Sequence, residues 1–301
     1  MNRREFTKAS LATATFAVLN PALAGPEHLI RKAIPSSGEW VPVIGLGTNR
    51  YGVDTSEVAR APLRDALRRF HALGGTLIDT APQYRTSESV LGELIAELGT
   101  RKDLFIATKT DRSSADDVAA QMEDSSRKLK TQKFDLMQVH NLIAWKTALP
   151  VMREWQQEGR IRYIGITTSR DAQYEEFETV IRQERLDFIQ INYSLEQREA
   201  AKRILPLAAD LGIGVIINRA FGGGRIFDAV GNEPLPGWAA EFGCESWAQF
   251  LLKYAVGHPA ATVAIPGMTK VHHVDDNFGA AHGRLPDAGE RRRQEAFFDA
   301  L

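Results

Sequence analysis

The chain has 301 residues, of which 44% are hydrophobic and 25% are charged, and its formal net charge at pH 7 is −1. A chain of this length and composition can bury a large core, and its near-neutral charge argues against nucleic acid as a partner. The single cysteine, Cys244, excludes an intramolecular disulfide and a cysteine-based metal cluster.

The first 24 residues have the three-part pattern of an export signal. Arg3 and Arg4 precede a mildly apolar run at residues 9–19, and a small-x-small cleavage site follows at residues 22–24. The run is shorter than the roughly 20 apolar residues that span a bilayer. The arginine pair resembles a twin-arginine signal. We therefore expect recognition by the twin-arginine export machinery, cleavage after Ala24, a periplasmic location and no stable membrane span. A Sec signal or an uncleaved amphipathic tail is the alternative.

Short apolar runs alternate with helical periodicity along the rest of the chain. Residues 31–44 read as two extended pieces joined by a Ser-Ser-Gly turn, which predicts a hairpin that caps the domain. Strands are predicted at residues 43–47, 76–79, 104–108, 134–139, 163–167, 188–191, 214–217 and 262–265. Helices are predicted at residues 56–73, 87–98, 115–129, 147–158, 172–182, 196–211 and 246–256, with an extra C-terminal helix at 287–300.

This alternation predicts an α/β fold in which parallel strands are joined by right-handed crossovers. Eight such units in about 250 residues match a closed (β/α)8 TIM barrel, with an open doubly wound sheet as the alternative. Because no linker interrupts residues 25–301, we expect them to form a single domain.

Proton-handling side chains follow three neighbouring strands. Asp79, Lys109 and His140 each stand where an apolar run ends, and Tyr84 lies in the loop after Asp79. A TIM barrel carries its chemistry at the carboxyl ends of its strands. The four side chains are therefore expected to meet at one end of the barrel.

The motifs around these residues resemble those of the aldo-keto reductase family, over nearly the whole chain after the signal. The matching stretches are residues 44–48, 78–81, 84, 87–92, 107–109, 138–141, 158–166, 190–194, 264–267 and 277. The resemblance implies a barrel that binds a nicotinamide cofactor without a Rossmann domain. It also implies that Asp79, Tyr84, Lys109 and His140 form a catalytic tetrad.

The chemistry of carbonyl reduction fits these four residue types. Tyr84 is the natural proton donor, but a free phenol near pKa 10 needs a neighbouring cation to ease its ionisation. Lys109 supplies that charge, Asp79 holds the ammonium in place, and His140 orients the carbonyl by a hydrogen bond. For each residue taken alone there is a structural alternative: Asp79 could cap a helix, and His140 could be a hydrogen-bonded core side chain. No metal site is predicted, because the histidines lack clustered ligand spacing.

Cofactor contacts are carried over from the family by position. Thr167, Thr168 and Gln190 fall on the ligands of the nicotinamide carboxamide. Asn218 stands where the family has an aromatic residue that stacks on the nicotinamide ring. Arg219 or Phe221 is therefore expected to cover part of that ring. Alternatively, Arg219 reaches the pyrophosphate. The full set of predicted cofactor residues is Thr48, Thr167, Thr168, Gln190, Arg219, Phe221, Gly222, Gly223, Gly267, Thr269, Lys270, His273 and Asn277.

Two features of this set bear on phosphate binding. Thr269 and Lys270 precede a helix, where an extra ribose phosphate is favoured, so the sequence predicts NADPH rather than NADH. Lys270 is alternatively a solvated surface cation. Gly222 and Gly223 either present backbone N–H groups to phosphate or form a mobile loop.

The substrate pocket is expected to be lined by Asn49, Arg50, Tyr51 and Trp145. The polar side chains Asn49, Arg50 and Arg85 are compatible with a polar or anionic carbonyl substrate. The leading hypothesis is an NADPH-dependent enzyme that reduces aldehydes or ketones. The alternatives are a cofactor-holding redox sensor or accessory subunit, and a lyase that uses Lys109 as a Schiff base.

Overall fold

The computed structural model describes residues 29–54 and 56–301 of the chain. The predicted export signal at residues 1–24 lies outside the described residues. No helix within the described part is both long and apolar enough to cross a membrane.

The described residues contain an eight-stranded parallel sheet in which each strand pairs with the next along the chain. Its strands are β3 (Leu46–Gly47), β4 (Leu77–Asp79), β5 (Phe105–Thr110), β6 (Phe134–His140), β7 (Ile161–Thr167), β8 (Phe188–Asn192), β9 (Gly214–Asn218) and β10 (Val263–Ala264). The first and last strands meet through parallel bridges, and the Gly45 N–H donates to the Ala264 carbonyl at 2.8 Å. The sheet is therefore a closed barrel, and the predicted (β/α)8 fold is confirmed.

Helices surround the barrel. They are α1 (Glu57–Ala72), α2 (Ser87–Leu98), α3 (Ala115–Lys128), α4 (Trp145–Gln157), α5 (Tyr174–Gln183), α6 (Ile204–Asp210), α7 (Arg225–Val230), α8 (Trp247–Gly257), α9 (Val271–Gly279) and α10 (Ala288–Phe298). The sequence of α1 illustrates why these segments form helices. The Ser56 side chain caps the first turn of α1, and the buried apolar residues of α1 recur with helical spacing. α10 is the predicted C-terminal helix, and it begins with a capping box at Asp287.

Two features differ from the predicted helices. The helix expected at residues 196–211 is broken into a short 3-10 turn at Glu199–Lys202 and the α-helix α6. A continuous helix would drive the ring of Pro206 into the carbonyl of Lys202, four residues earlier. The helix α7 is not predicted from the sequence, because six residues are too few to show the 3.6-residue periodicity of an amphipathic helix.

A β-hairpin closes the amino-terminal end of the barrel. Its strands are β1 (Arg31–Ala33) and β2 (Trp40–Pro42), paired antiparallel. Ile34 and Val41 of the hairpin pack in one buried cluster with an inward layer of barrel side chains that includes Phe105, Tyr163 and Phe188. The predicted cap is thus present. Because this layer fills the floor of the barrel, the described residues leave access for ligands from the opposite end.

Lys32 anchors the hairpin to the barrel. Its ammonium donates hydrogen bonds to the carbonyls of Val256, His258 and Ala261, at 2.7, 3.0 and 2.7 Å. We expect Lys32→Met to lower the free energy of unfolding by about 1–3 kcal/mol, because each of these carbonyls loses a donor and only that of His258 also accepts from another described group, the N–H of Ala261. Urea denaturation measures the loss. The exposed neighbour Arg31 supplies the control, and an equal loss in Arg31→Met would contradict this role for Lys32.

Candidate active site

The four predicted catalytic side chains lie together at the carboxyl end of the barrel. Asp79 is the last residue of β4, His140 is the last residue of β6, and Lys109 lies near the end of the intervening strand β5. Tyr84 follows in the turn after β4, where its N–H donates to the Ala81 carbonyl at 3.0 Å. All four line one cavity.

Asp79 and Lys109 form a buried ion pair. The Lys109 Nζ lies 2.7 Å from the Asp79 Oδ2 and donates a second hydrogen bond to the Thr80 carbonyl at 2.7 Å. Burial by itself lowers the pKa of Lys109, but the Asp79 carboxylate and the Tyr84 phenol outweigh it, and the pKa is raised overall. Lys109 is therefore held as an ammonium. This state disfavours the Schiff-base chemistry of a lyase, which needs a neutral amine.

Asp79 is held in place by more than its lysine. The side-chain amides of Gln138 and Gln190 donate to its two oxygens, at 3.2 and 3.4 Å. The Thr48 hydroxyl donates to the backbone carbonyl of Asp79 at 2.8 Å. These contacts fix the position of the Asp79 carboxylate beside Lys109.

Tyr84 lies against Lys109, whose Nζ is 5.2 Å from the centre of the phenol ring. Burial raises the pKa of Tyr84, and the charge of Lys109 offsets only part of that rise. Lys109 therefore lowers the pKa of Tyr84 as predicted from the sequence, but the effect of burial is larger. A phenol with a raised pKa stays protonated at neutral pH, so Tyr84 is ready to donate a proton.

His140 stands perpendicular to Tyr84, with 6.3 Å between the ring centres. Burial and then the charge of Lys109 lower the pKa of His140 to about 4. The imidazole is therefore neutral at neutral pH, with one N–H to donate and little tendency to take a full proton. This favours hydrogen bonding to a carbonyl oxygen over proton transfer as its main role.

The lowered pKa of His140 makes stability depend on pH. The unfolded chain binds a proton at His140 near pH 6.5 and the folded protein only near pH 4, so the free energy of unfolding falls as pH drops through this window. We expect His140 to account for a loss on the order of 2 kcal/mol. Urea denaturation across this range measures it. His140→Asn should show a shallower dependence, and an unchanged slope would contradict the assignment.

The cavity above the four residues has a volume of about 540 Å³ and is lined by most of the other predicted site residues. Those that line it are Thr48, Asn49, Arg50, Thr167, Gln190, Arg219, Phe221, Gly223, Gly267, Thr269 and His273. A volume of this size suits a small-molecule ligand or cofactor.

Six predicted residues do not line the cavity, and two of them were expected to form walls of the substrate pocket. Tyr51 is fully buried and donates from its hydroxyl to the Met268 carbonyl at 3.0 Å. Trp145 packs into the core and donates from its indole N–H to Glu176 at 3.1 Å. Both predictions of a substrate wall are wrong, because each side chain is turned away by a partner distant in sequence.

The other four were predicted cofactor contacts. The Thr168 hydroxyl donates to Gln173 at 2.6 Å and accepts from the N–H of Arg170, so it is committed to the β7–α5 loop. Gly222 is buried against Glu196, and Asn277 is buried on α9. Lys270 is exposed at the start of α9, where the structure favours the alternative of a solvated cation.

Several residues that line the cavity were not among the predicted contacts, although Asn218 was noted as replacing a stacking aromatic residue. Ser169 lines the cavity beside Thr167, while Thr168 between them turns away. Asn141 follows His140 with a φ of 53°, an unusual conformation that Asn tolerates. Asn218 and Phe227 also face the cavity. Ser169 could have been predicted by continuing the alternation of side chains past the end of β7, since it lies two residues after Thr167. No sequence pattern near Phe227 predicts that it lines the cavity.

The residues present fit a nicotinamide nucleotide. Gln190 is 2% exposed and lines the cavity, yet its Oε1 has no hydrogen-bond partner among the described residues. A buried acceptor without a donor is costly, so this atom marks a place for a ligand N–H or O–H. Arg50 and Arg219 also line the cavity and lie exposed, as suits contact with phosphate.

A neutral phenol, an ammonium, a carboxylate and a neutral imidazole under one cavity at the carboxyl end of a TIM barrel define an acid–base enzyme site. Residues 43–290 match the model of the aldo/keto reductase family. The chain belongs to this family of oxidoreductases.

Curated relatives carry the same family name. The chain is 32% identical over 198 residues to aldo-keto reductase YhdN of Bacillus subtilis, in a match that spans 59% of this chain and 58% of that protein, less than two thirds of its length. It is 28% identical over 266 residues to methylglyoxal reductase YeaE of Escherichia coli, covering 86% of this chain and 92% of that protein.

Solved structures share the fold. An aldo-keto reductase from Klebsiella pneumoniae in complex with NADPH superposes with a TM-score of 0.76 at 24% identity, covering 90% of this chain and 96% of that one. The holo form of aldo-keto reductase AKR11C1 from Bacillus halodurans superposes with a TM-score of 0.73 at 22% identity, covering 90% and 96%.

Proposed function

We propose that this protein reduces aldehyde or ketone carbonyls to alcohols with NADPH, and that Tyr84 donates the proton. The observation that carries the proposal is the buried Asp79–Lys109 ion pair beneath a neutral Tyr84, with a 2.7 Å contact between the charged groups. Such a pair has little use in a simple binding site, because burying two charges is costly. It suits a site where a phenol must lose a proton and regain it.

Each residue has a step in this reaction. The nicotinamide, when bound, supplies the hydride to the carbonyl carbon. The neutral N–H of His140 donates a hydrogen bond to the carbonyl oxygen and orients it. Tyr84 transfers its proton to the developing alkoxide, and the ammonium of Lys109 stabilises the phenolate that remains. Asp79 keeps Lys109 charged throughout.

The cofactor is proposed to lie along the cavity from Gln190 to Thr269. Thr167 and Gln190 are placed to bind the nicotinamide carboxamide, and Arg219 and the N-terminal end of α9 to bind phosphates. Preference for NADPH is supported by the place of Thr269, which lines the cavity just before the N-terminal end of α9, and by the NADPH in the Klebsiella pneumoniae structure. Exposed Lys270 could still reach a phosphate that lies at the surface.

The proposal is tested by mixing purified protein with NADPH and a panel of small carbonyl compounds, among them methylglyoxal, which the name of the Escherichia coli relative suggests. Loss of NADPH absorbance over many turnovers is the expected result. One turnover per protein molecule, with a nucleotide that co-purifies, would instead favour the cofactor-holding sensor. Failure to bind NADPH at all would refute both.

We further propose that residues 1–24 form a twin-arginine export signal and that residues 25–301 work as one domain in the periplasm. The support is the Arg3-Arg4 pair followed by a weakly apolar run and the small residues at 22–24. The test fuses residues 1–24 to a folded reporter and follows its export. Export that persists after replacing Arg3 and Arg4 by Lys, or that requires an unfolded reporter, would contradict the proposal.

A further inference from the structure

A second unpartnered amide oxygen belongs to a residue that lines the same cavity as Gln190. The Oδ1 of Asn218 is buried and has no hydrogen-bond partner among residues 29–54 and 56–301, and Asn218 lines the cavity. Asn218 ends β9, and Gln190 pairs with Ile216, two residues earlier on the same strand. Because side chains two apart on a strand share a face, Asn218 projects to the same side of the sheet as Gln190.

The orientation of both amides is set by the protein. The Asn218 Nδ2 donates to the Thr168 carbonyl at 3.3 Å, and the Gln190 Nε2 donates to Asp79 at 3.4 Å. Rotating either amide by half a turn would set its oxygen against a carbonyl or a carboxylate, which is repulsive. Both oxygens therefore stay as acceptors without a donor, and each costs free energy until a ligand supplies one.

We propose that the Asn218 side chain binds the nicotinamide-ribose half of the cofactor by accepting a hydrogen bond from its carboxamide or a ribose hydroxyl. The proposal rests on the proposed function, since it assumes that a nicotinamide nucleotide fills the cavity. Asn218 presents no ring that could stack on the nicotinamide. A hydrogen bond from the nicotinamide-ribose half to the Asn218 oxygen therefore contributes to holding this half of the cofactor in place.

Three ligands locate the contact: NADPH, phospho-ADP-ribose, which lacks only the nicotinamide, and phospho-ADP, which lacks the nicotinamide and its ribose. Calorimetry compares their Kd values in the full-length protein and in Asn218→Leu, whose side chain has a similar size but no acceptor. We expect the Kd for NADPH to rise about 3- to 10-fold, as one hydrogen bond predicts, and that for phospho-ADP to change less than about twofold.

Phospho-ADP-ribose identifies the donor. If its Kd rises along with that of NADPH, the donor is a ribose hydroxyl, and if it stays unchanged, the donor is the carboxamide; either result supports the proposal. Equal weakening of all three ligands, or an unchanged Kd for NADPH, would overturn it. Asn218→Ala repeats the measurement if the leucine variant folds poorly.

Asn192 provides a matched control on the adjacent strand. It faces Asn218 in the register of β8 and β9, but its amide is fully partnered by Asp171 and Tyr174, and it does not line the cavity. Asn192→Leu should destabilise the fold without changing the ratio of the Kd values for NADPH and phospho-ADP. If the unmodified protein binds no nucleotide, the proposed function fails as well. If it binds and reduces while Asn218→Leu behaves normally, only this inference fails.

Discussion

Replacing Tyr84 by Phe is expected to lower kcat for carbonyl reduction by about 10²- to 10⁴-fold, the usual contribution of a positioned general acid. The phenyl ring keeps the packing against Lys109, but the alkoxide no longer has a proton donor of suitable strength. The Kd for NADPH should remain within about twofold, because the hydroxyl is not assigned to cofactor binding. Steady-state kinetics with the best carbonyl substrate, together with NADPH titration, measures both quantities.

Tyr163→Phe is the matched control, because it removes a hydroxyl from the floor of the barrel. That hydroxyl contacts Ser37 at 2.7 Å and Glu39 at 2.9 Å, far from the cavity. The control should lose stability and keep its kcat. Full turnover by Tyr84→Phe would assign the proton to another donor, with His140 the next candidate.

Replacing Lys109 by Met is expected to destabilise the fold by about 3–5 kcal/mol, because it leaves the Asp79 carboxylate buried without its counter-charge. Asp79 and Lys109 are each only 1% exposed, so water cannot take the place of the lost partner. Activity should be lost as well, since nothing then stabilises the Tyr84 phenolate. Urea denaturation at neutral pH measures the first effect.

Two further variants separate charge from packing. The double variant Asp79→Asn with Lys109→Met removes both charges and should recover much of the lost stability, although not the activity. Lys102→Met, at an exposed lysine near the start of β5, should change stability by less than about 0.5 kcal/mol. A double variant as unstable as Lys109→Met would show that packing, not the unpaired charge, is responsible.

The barrel and the location of its catalytic end could be predicted because both depend on local pattern. Apolar runs that end in Asp79, Lys109 and His140 are visible in sequence, and parallel pairing brings the ends of successive strands together. The closed ring followed from the number of strand and helix units. The prediction of the barrel and of its catalytic end does not change when the predicted strand and helix boundaries are wrong by a few residues.

The direction of individual side chains could not be predicted in the same way. Tyr51 lies in a loop near the site and Trp145 is the first residue of α4. Hydrogen bonds to the sequence-distant partners Met268 and Glu176 hold both side chains out of the cavity. Thr168 was expected to contact the cofactor because it falls on a carboxamide-ligand position of the family, but Gln173 already accepts the hydrogen bond of its hydroxyl. The raised pKa of Tyr84 likewise reflects burial by the whole fold.

The hairpin floor has a consequence for kinetics. Among the described residues, Ile34, Val41, Phe105 and Tyr163 fill the amino-terminal end of the barrel, and the cavity lies at its other end. The nucleotide and the carbonyl compound must enter by the same mouth, and Asp79 and Lys109 at its base are reached last. We therefore expect ordered binding, in which the ligand that lies deeper in the cavity binds first and dissociates last.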